Sequence, residues 1–357
     1  MRILLFLSFL FCSIALSGQP YPDYDVTTID GTSLDARLLH DAKPFQRVPE
    51  CYFEKMTEQE QRQASRPVGQ FLTFRTQSTK IGVIVQREGV KMGLCNGPVS
   101  SAGFDLYIRK DSGWLWAGSV LPEDGKPGWL ICNMDDSIKE CLLYMPLGCK
   151  LTSMQICHSK GSSIVREQYF RNNIAVLGSS FTEGAATSRS GMTWTAQLSR
   201  RTGMLFANFG FAGNCKLQDY FSDMLVQMEV DAYVIDGFSN PSPMQMRERL
   251  FPFIEKLKIH RPDTPIIFLK SIYREKRNFD LEAEKYETER AFVADSLMKV
   301  AVKTFDNIYW VTTTNATDRK SHETSVDGTH PSDYGYTLWT DSVERQIVRI
   351  LRKHKIK

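Results

Sequence analysis

Two hydrophobic rhythms divide the chain. Between about residues 65 and 157, short apolar-rich runs recur between turns, as in Ile81-Gly82-Val83-Ile84-Val85, Phe104-Asp105-Leu106-Tyr107-Ile108, Trp114-Leu115-Trp116 and Cys141-Leu142-Leu143-Tyr144-Met145, with Phe104-Asp105-Leu106 showing the alternation of apolar and polar positions. A period of two puts every second side chain on one face, so these runs predict strands. Turn-forming spacers such as Glu123-Asp124-Gly125-Lys126-Pro127-Gly128 separate them, and regularly spaced strands of this kind predict an antiparallel β-sandwich. After the polar stretch His158-Ser159-Lys160-Gly161-Ser162-Ser163, apolar runs at 174–177, 205–208, 232–235, 266–269 and 308–311 alternate with helical patterns near 193–201, 243–260, 281–303 and 332–353. Strands that alternate with helices predict a parallel sheet covered on both faces. Residues 19 to about 65 are polar and irregular, with one charged, helix-compatible patch near 57–65.

Length agrees with this division: 357 residues favour two domains, expected at 19–165 and 166–357. Arg2, an apolar run over 3–16, and the small residues Ser17 and Gly18 read as a signal peptide spanning 1–18, which predicts a secreted or periplasmic protein. That run is too short for a membrane-spanning helix, and no later stretch is long and apolar enough. Bulky Phe11 precedes Cys12 where a lipidation site needs a small residue, so lipid anchoring is disfavoured. A formal charge of +3 without a dense basic block disfavours a nucleic-acid partner. Eight cysteines, with Cys12 in the leader, leave an odd number for the exported chain. A full disulfide framework is therefore not expected, although one or two bridges fit. Asn315-Ala316-Thr317 is a glycosylation sequon that matters only in a host that glycosylates secreted proteins.

The chemistry concentrates at strand ends. The run Ile174-Ala175-Val176-Leu177 stops at Gly178-Ser179-Ser180, which sets a hydroxyl at the carboxyl edge of a sheet, the usual place for ligands in α/β folds. Ser180 is the candidate nucleophile, although Gly-Ser-Ser alone is also an ordinary N-capping turn. Far along the chain, Asp327-Gly328-Thr329-His330-Pro331 offers His330 as a base and Asp327 as its orienting carboxylate. Glycines in Asn208-Phe209-Gly210-Phe211-Ala212-Gly213-Asn214 allow close backbone approach, and Asp236-Gly237-Phe238-Ser239-Asn240 brings a side-chain amide to the same edge. The N–H groups of Ser180, Gly213 and Asn240 would together form an oxyanion hole. Gly-x-Ser-x-Gly, His-Glu-x-x-His, P-loop and Gly-x-Gly-x-x-Gly patterns are missing, so metal and nucleotide cofactors have no motif to support them.

The order Ser180, Gly213, Asn240, Asp327, His330 resembles the SGNH (GDSL) hydrolase family, in the branch where Gly-x-Ser-x-Thr replaces Gly-Asp-Ser. Gly103-Phe104-Asp105-Leu106-Tyr107 is similar to the Gly-x-Asp-Leu-Tyr signature of the β-sandwich domain that precedes this branch. The resemblance implies a flavodoxin-like three-layer α/β/α domain behind the sandwich and a Ser180-His330-Asp327 triad. It also implies an exported esterase, acting on short acyl esters such as acetyl groups on carbohydrate. A general short-chain acylhydrolase and a non-catalytic carbohydrate-binding module are the alternatives. Ser179 stands where many members carry Asp, and Pro241 follows Asn240 where many carry Asp. Trp114, Trp116 and Trp129 would stack on sugars if exposed, but tryptophans in alternating strands are more often core.

Overall fold

The computed structural model describes residues 23–90, 92–93, 95–313 and 323–357. The leader and the sequon lie outside the described residues.

The N-terminal half contains β1 (Tyr24–Thr28), α1 (Glu58–Ala64), β2 (Phe71–Thr76), β3 (Ile81–Glu88), α2 (Pro98–Ala102), β4 (Phe104–Lys110), β5 (Gly113–Val120), β6 (Gly128–Ile131), β7 (Lys139–Tyr144), β8 (Lys150–Ser159) and β9 (Val165–Arg166). Helix α1 is the expected charged patch. Thr57 caps it by accepting from the Glu60 amide while the Glu60 carboxylate returns to the Thr57 amide. The strands form two antiparallel sheets, ordered β1-β8-β3-β6 and β5-β4-β7-β2-β9. Val83, Val85, Met154 and Ile156 of the first sheet pack on Leu72, Phe74, Leu106 and Leu143 of the second.

Strand periodicity turns the intervening residues of the second sheet the other way. Phe71, Tyr107, Leu142 and Tyr144 join the core of the C-terminal half. A sheet buried on both faces explains why Leu142-Leu143-Tyr144 is apolar throughout. The three tryptophans depart from expectation: Trp116 is 54% exposed and Trp114 and Trp129 are only half-buried. They sit on β5 and β6, which are edge strands with one open flank.

The C-terminal half runs β10 (Arg171–Gly178), α3 (Ser180–Glu183), α4 (Trp194–Thr202), β11 (Met204–Gly210), α5 (Asp219–Val226), β12 (Ala232–Ile235), α6 (Pro243–His260), β13 (Ile266–Leu269), α7 (Leu281–Thr304), β14 (Ile308–Val311) and α8 (Asp333–Lys353). The five strands are parallel in the order β11-β10-β12-β13-β14. That is the 2-1-3-4-5 order of flavodoxin-like folds, with the switch point between β10 and β12. Ile174, Val176 and Val234 pack against Trp194 and Leu198 of α4 and Trp339 and Val343 of α8. Ala175, Leu177 and Ile235 face Leu225 of α5, Leu250 and Ile254 of α6 and Val293 and Met298 of α7. All five predicted strands and four predicted helices occur. Helix α5 was not anticipated, because it is short and Gln218 gives it no side-chain cap.

The seven described cysteines are all free thiols. The one or two bridges that the sequence allowed do not form among them. Cys141, Cys149, Cys157 and Cys215 are buried and act as small apolar side chains.

Candidate active site

Ser180 opens α3 directly after β10, at the carboxyl edge beside the switch point. The turn is steeply constrained: a Cβ on Gly178 would lie 2.1 Å from Thr182 Oγ1 and 2.9 Å from Asp236 Cβ. Ser179 caps the turn by accepting from the Phe181 amide. One helical turn later the chain reverses at Gly184, whose φ of 99° suits only glycine. Ser180 is thus held on a short, tightly wound elbow.

His330 lies in the turn just before α8. Its Nε2 lies 3.0 Å from Ser180 Oγ, and its Nδ1 lies 2.8 Å from Asp327 Oδ2. Asp327 Oδ1 accepts from the amides of Thr329 (3.0 Å) and His330 (2.7 Å), which folds the four residues into one compact turn. That turn is anchored where Lys276 N donates to Gly328 O and where Glu275 accepts from Thr324 and Ser325. Burial raises the Asp327 pKa, but the His330 amide and ring and the Thr329 amide outweigh it and bring it to about 2. An ionised carboxylate only accepts, so Nδ1 carries the imidazole proton and Nε2 offers its lone pair to Ser180. Phe181 packs against the ring in a T-shaped arrangement, with centroids 5.7 Å apart.

Asn240 follows β12 and Gly213 follows β11. The Asn240 Nδ2 atom is buried, with no hydrogen-bond partner among the described residues. Gly213 has a φ of +74° and open space around its Cβ position. A buried amide donor without a partner is the kind of group that can receive developing negative charge.

Most of the supporting residues carried no sequence signal. Asp236, fully buried, accepts through Oδ2 from the Ser179 amide and hydroxyl and from the Thr182 hydroxyl, and through Oδ1 from Ser239. Burial pushes its pKa up and these donors oppose the rise. Ser179 thus shares the carboxylate of Asp236, which directly follows β12. Helix α1 reaches the Gly213 loop. There Gln63 Nε2 donates to Ala212 O (3.0 Å), and Glu183 Oε2 accepts from Ala212 N (2.8 Å). Arg47 donates to the carbonyls of Asn208 and Gly210. Only an Asp at a strand end was a visible hint; the contacts of Gln63 and Arg47 span more than 140 residues and leave no periodic trace.

The Gly-x-Asp-Leu-Tyr segment is the clamp between the halves. Asp105 Oδ2 accepts from Arg189 (2.8 Å) and the Gly191 amide (2.9 Å), its Oδ1 accepts from Trp116 Nε1 (3.0 Å), and the Tyr107 hydroxyl takes a second Arg189 bond. A Cβ on Gly103 would lie 2.6 Å from two carbonyl oxygens, those of Val99 and Val120. Asp105→Ala leaves Arg189 and the Gly191 amide without their carboxylate, and a loss of about 3–5 kcal/mol in unfolding free energy is expected. Urea denaturation followed by tryptophan fluorescence measures it; a change under about 1 kcal/mol would remove the clamp from the stability of the fold.

Finally, Cys95 from the loop between β3 and α2 brings its Sγ 3.4 Å from Asp327 Oδ2. Burial and the neighbouring carboxylate push its thiol up to about 11.

A hydroxyl, an imidazole and a carboxylate in series at the edge of a flavodoxin-like sheet are the arrangement that serine hydrolases use. Residues 171–348 match the GDSL-like lipase/acylhydrolase family, and residues 24–164 match the GxDLY family, the N-terminus of SGNH-hydrolase-type esterases. A structure from Bacteroides ovatus classed with the GDSL-like lipases is 30% identical, with a TM-score of 0.86 over 92% of this chain and 98% of that one. This chain therefore belongs to the GDSL-like lipase/acylhydrolase family, in the branch with an N-terminal GxDLY domain. A salicylyl-acyltransferase from a tetracycline biosynthetic pathway shares the fold at 18% identity, with a TM-score of 0.65 over 92% and 95% of the two chains. A family two carbohydrate esterase from Clostridium thermocellum, solved with cellohexaose, shares it at 13% identity, with a TM-score of 0.56 over 81% and 96%. No curated protein sequence matches the chain.

Proposed function

We propose that this protein is an exported serine esterase that removes short acyl groups, chiefly acetyl, from carbohydrate. The observation that carries the reading is the Ser180–His330–Asp327 series, with spacings of 3.0 and 2.8 Å. His330 takes the proton from Ser180 Oγ, which attacks the ester carbonyl. Asp327 holds the ring and stabilises its cationic form. The oxyanion rests on the N–H groups of Ser180, Gly213 and Asn240. The alcohol leaves with the proton from His330, and water activated by His330 releases the acid.

The carbohydrate part of the reading draws on the fold shared with the family two esterase, on the leader read from the sequence, and on the exposed Trp116 ring. A groove of about 740 Å³ bounded by Tyr273, Lys276, Phe279 and Gly328 also opens beside the Asp327–His330 turn. Among the described residues no helix is long and apolar enough to cross a membrane. Acetate release from acetylated xylan and other acetylated glycans, set against cleavage of long-chain p-nitrophenyl esters, tests the proposal. Acetylated glycans are the expected preferred substrates. Faster turnover of long-chain esters with no acetate released from any glycan would overturn it.

A further inference from the structure

Three side-chain atoms able to ligate a metal, from two distant parts of the chain, meet at the candidate triad, two of them on its members Asp327 and His330. Cys95 Sγ lies 3.4 Å from Asp327 Oδ2 and 3.9 Å from His330 Nδ1, and those two atoms are 2.8 Å apart. Asn96 fixes the thiol-bearing loop, its Oδ1 accepting from the Ala186 amide at 2.7 Å. A tetrahedral zinc ion, with Zn–S near 2.3 Å and Zn–N or Zn–O near 2.0–2.1 Å, requires ligand separations of roughly 3.3–3.6 Å. The three observed edges bracket that range, so shifts of about half an ångström suffice. Cys95 is half-exposed, which lets an ion enter and a water complete the fourth position.

We propose that Cys95, Asp327 and His330 form a binding site for a borderline-soft divalent cation, Zn²⁺ above all, whose occupation switches the hydrolase off. A thiolate, an imidazole and a carboxylate together select Zn²⁺ over Mg²⁺ or Ca²⁺, which prefer all-oxygen sites. Coordination uses the Nδ1 lone pair, so the single ring proton moves through solvent to Nε2, and the thiol proton is released to solvent. A protonated Nε2 faces Ser180 Oγ as a donor and no longer accepts the hydroxyl proton. The inhibitory half of the proposal rests on the Ser180–His330 reading above; the binding half does not.

The full chain is titrated with Zn²⁺ while p-nitrophenyl acetate hydrolysis is followed, and separately with Co²⁺ as a spectroscopic probe. Cys95→Ala is expected to raise the inhibitory Zn²⁺ concentration at least about tenfold, since even outer contacts of a metal site change affinity by 10–100-fold. Mg²⁺ is expected to inhibit neither protein. Co²⁺ is expected to give a thiolate charge-transfer band in the wild type that vanishes in Cys95→Ala, with Cys95→Ser as the second variant should the alanine protein fail to fold. Equal Zn²⁺ sensitivity in wild type and variant, or a band that persists because exposed Cys51 or Cys132 supplies the thiolate, would overturn the site. Ser180→Ala, assayed in parallel, separates the two failures. Activity that survives it sinks the triad reading, while the Co²⁺ band still decides the metal site.

Discussion

Ser180→Ala and His330→Ala proteins are each expected to hydrolyse p-nitrophenyl acetate with kcat lowered about 10⁶-fold, and the double variant with no further loss. The reason lies in the geometry. In the proposed mechanism nucleophile and base share one proton across the 3.0 Å between Ser180 Oγ and His330 Nε2, so removing either end stops the same step. Residual turnover then comes from binding and from the oxyanion donors alone. Asp327→Ala is expected to cost less, about 10⁴-fold, because the carboxylate orients and stabilises the imidazole without itself reacting. KM should change little across the series, since none of these groups is needed to hold the ground state. A fluorophosphonate probe should label the wild type at Ser180 and leave Ser180→Ala unlabelled. Wild-type rates in Ser180→Ala would remove that residue from the chemistry.

For Asn240→Ala the expected loss is about 10² to 10³ in kcat, equivalent to roughly 2.7–4 kcal/mol of transition-state stabilisation. Its amide nitrogen is buried without a partner among the described residues, a state that costs about 1–3 kcal/mol in a resting protein. Activity and stability are therefore expected to move apart: the variant loses turnover yet melts at the same temperature as the wild type or higher. Kinetics with a short-chain ester alongside a thermal melt reads both quantities. Parallel losses in the two would make Asn240 a structural residue instead of an oxyanion donor.

Much of this was legible in one dimension because two periods are hard to confuse. The alternation in Phe104-Asp105-Leu106-Tyr107-Ile108 and the continuous apolar run Ile174-Ala175-Val176-Leu177 report, respectively, an antiparallel strand and a strand buried on both faces. The candidate residues were visible because chemistry in α/β folds collects where strands end, and Ser180, Gly213 and Asn240 each follow a strand. Helix α5 escaped for want of a capping residue. Trp114, Trp116 and Trp129 misled because alternation marks a strand without saying whether that strand lies at an edge. The unpaired cysteines likewise could not be read from their number, since pairing depends on geometry that spacing does not carry.

By itself the sequence determined the class of each half and the order of the elements, and it singled out the candidate reactive groups. Local propensity, side-chain period and turn chemistry act over a few residues, and those are written directly in the chain. Only the tertiary structure decided the distances: that Nε2 of His330 meets Oγ of Ser180 across 150 positions, that Asp236 underpins the Ser179–Ser180 turn, and that Gln63 and Arg47 hold the Gly213 loop. It alone gave Asp105 its place against Arg189 and Cys95 its place beside Asp327. Such contacts are fixed by how packed layers bring remote backbone together, and no pattern within a short window records them.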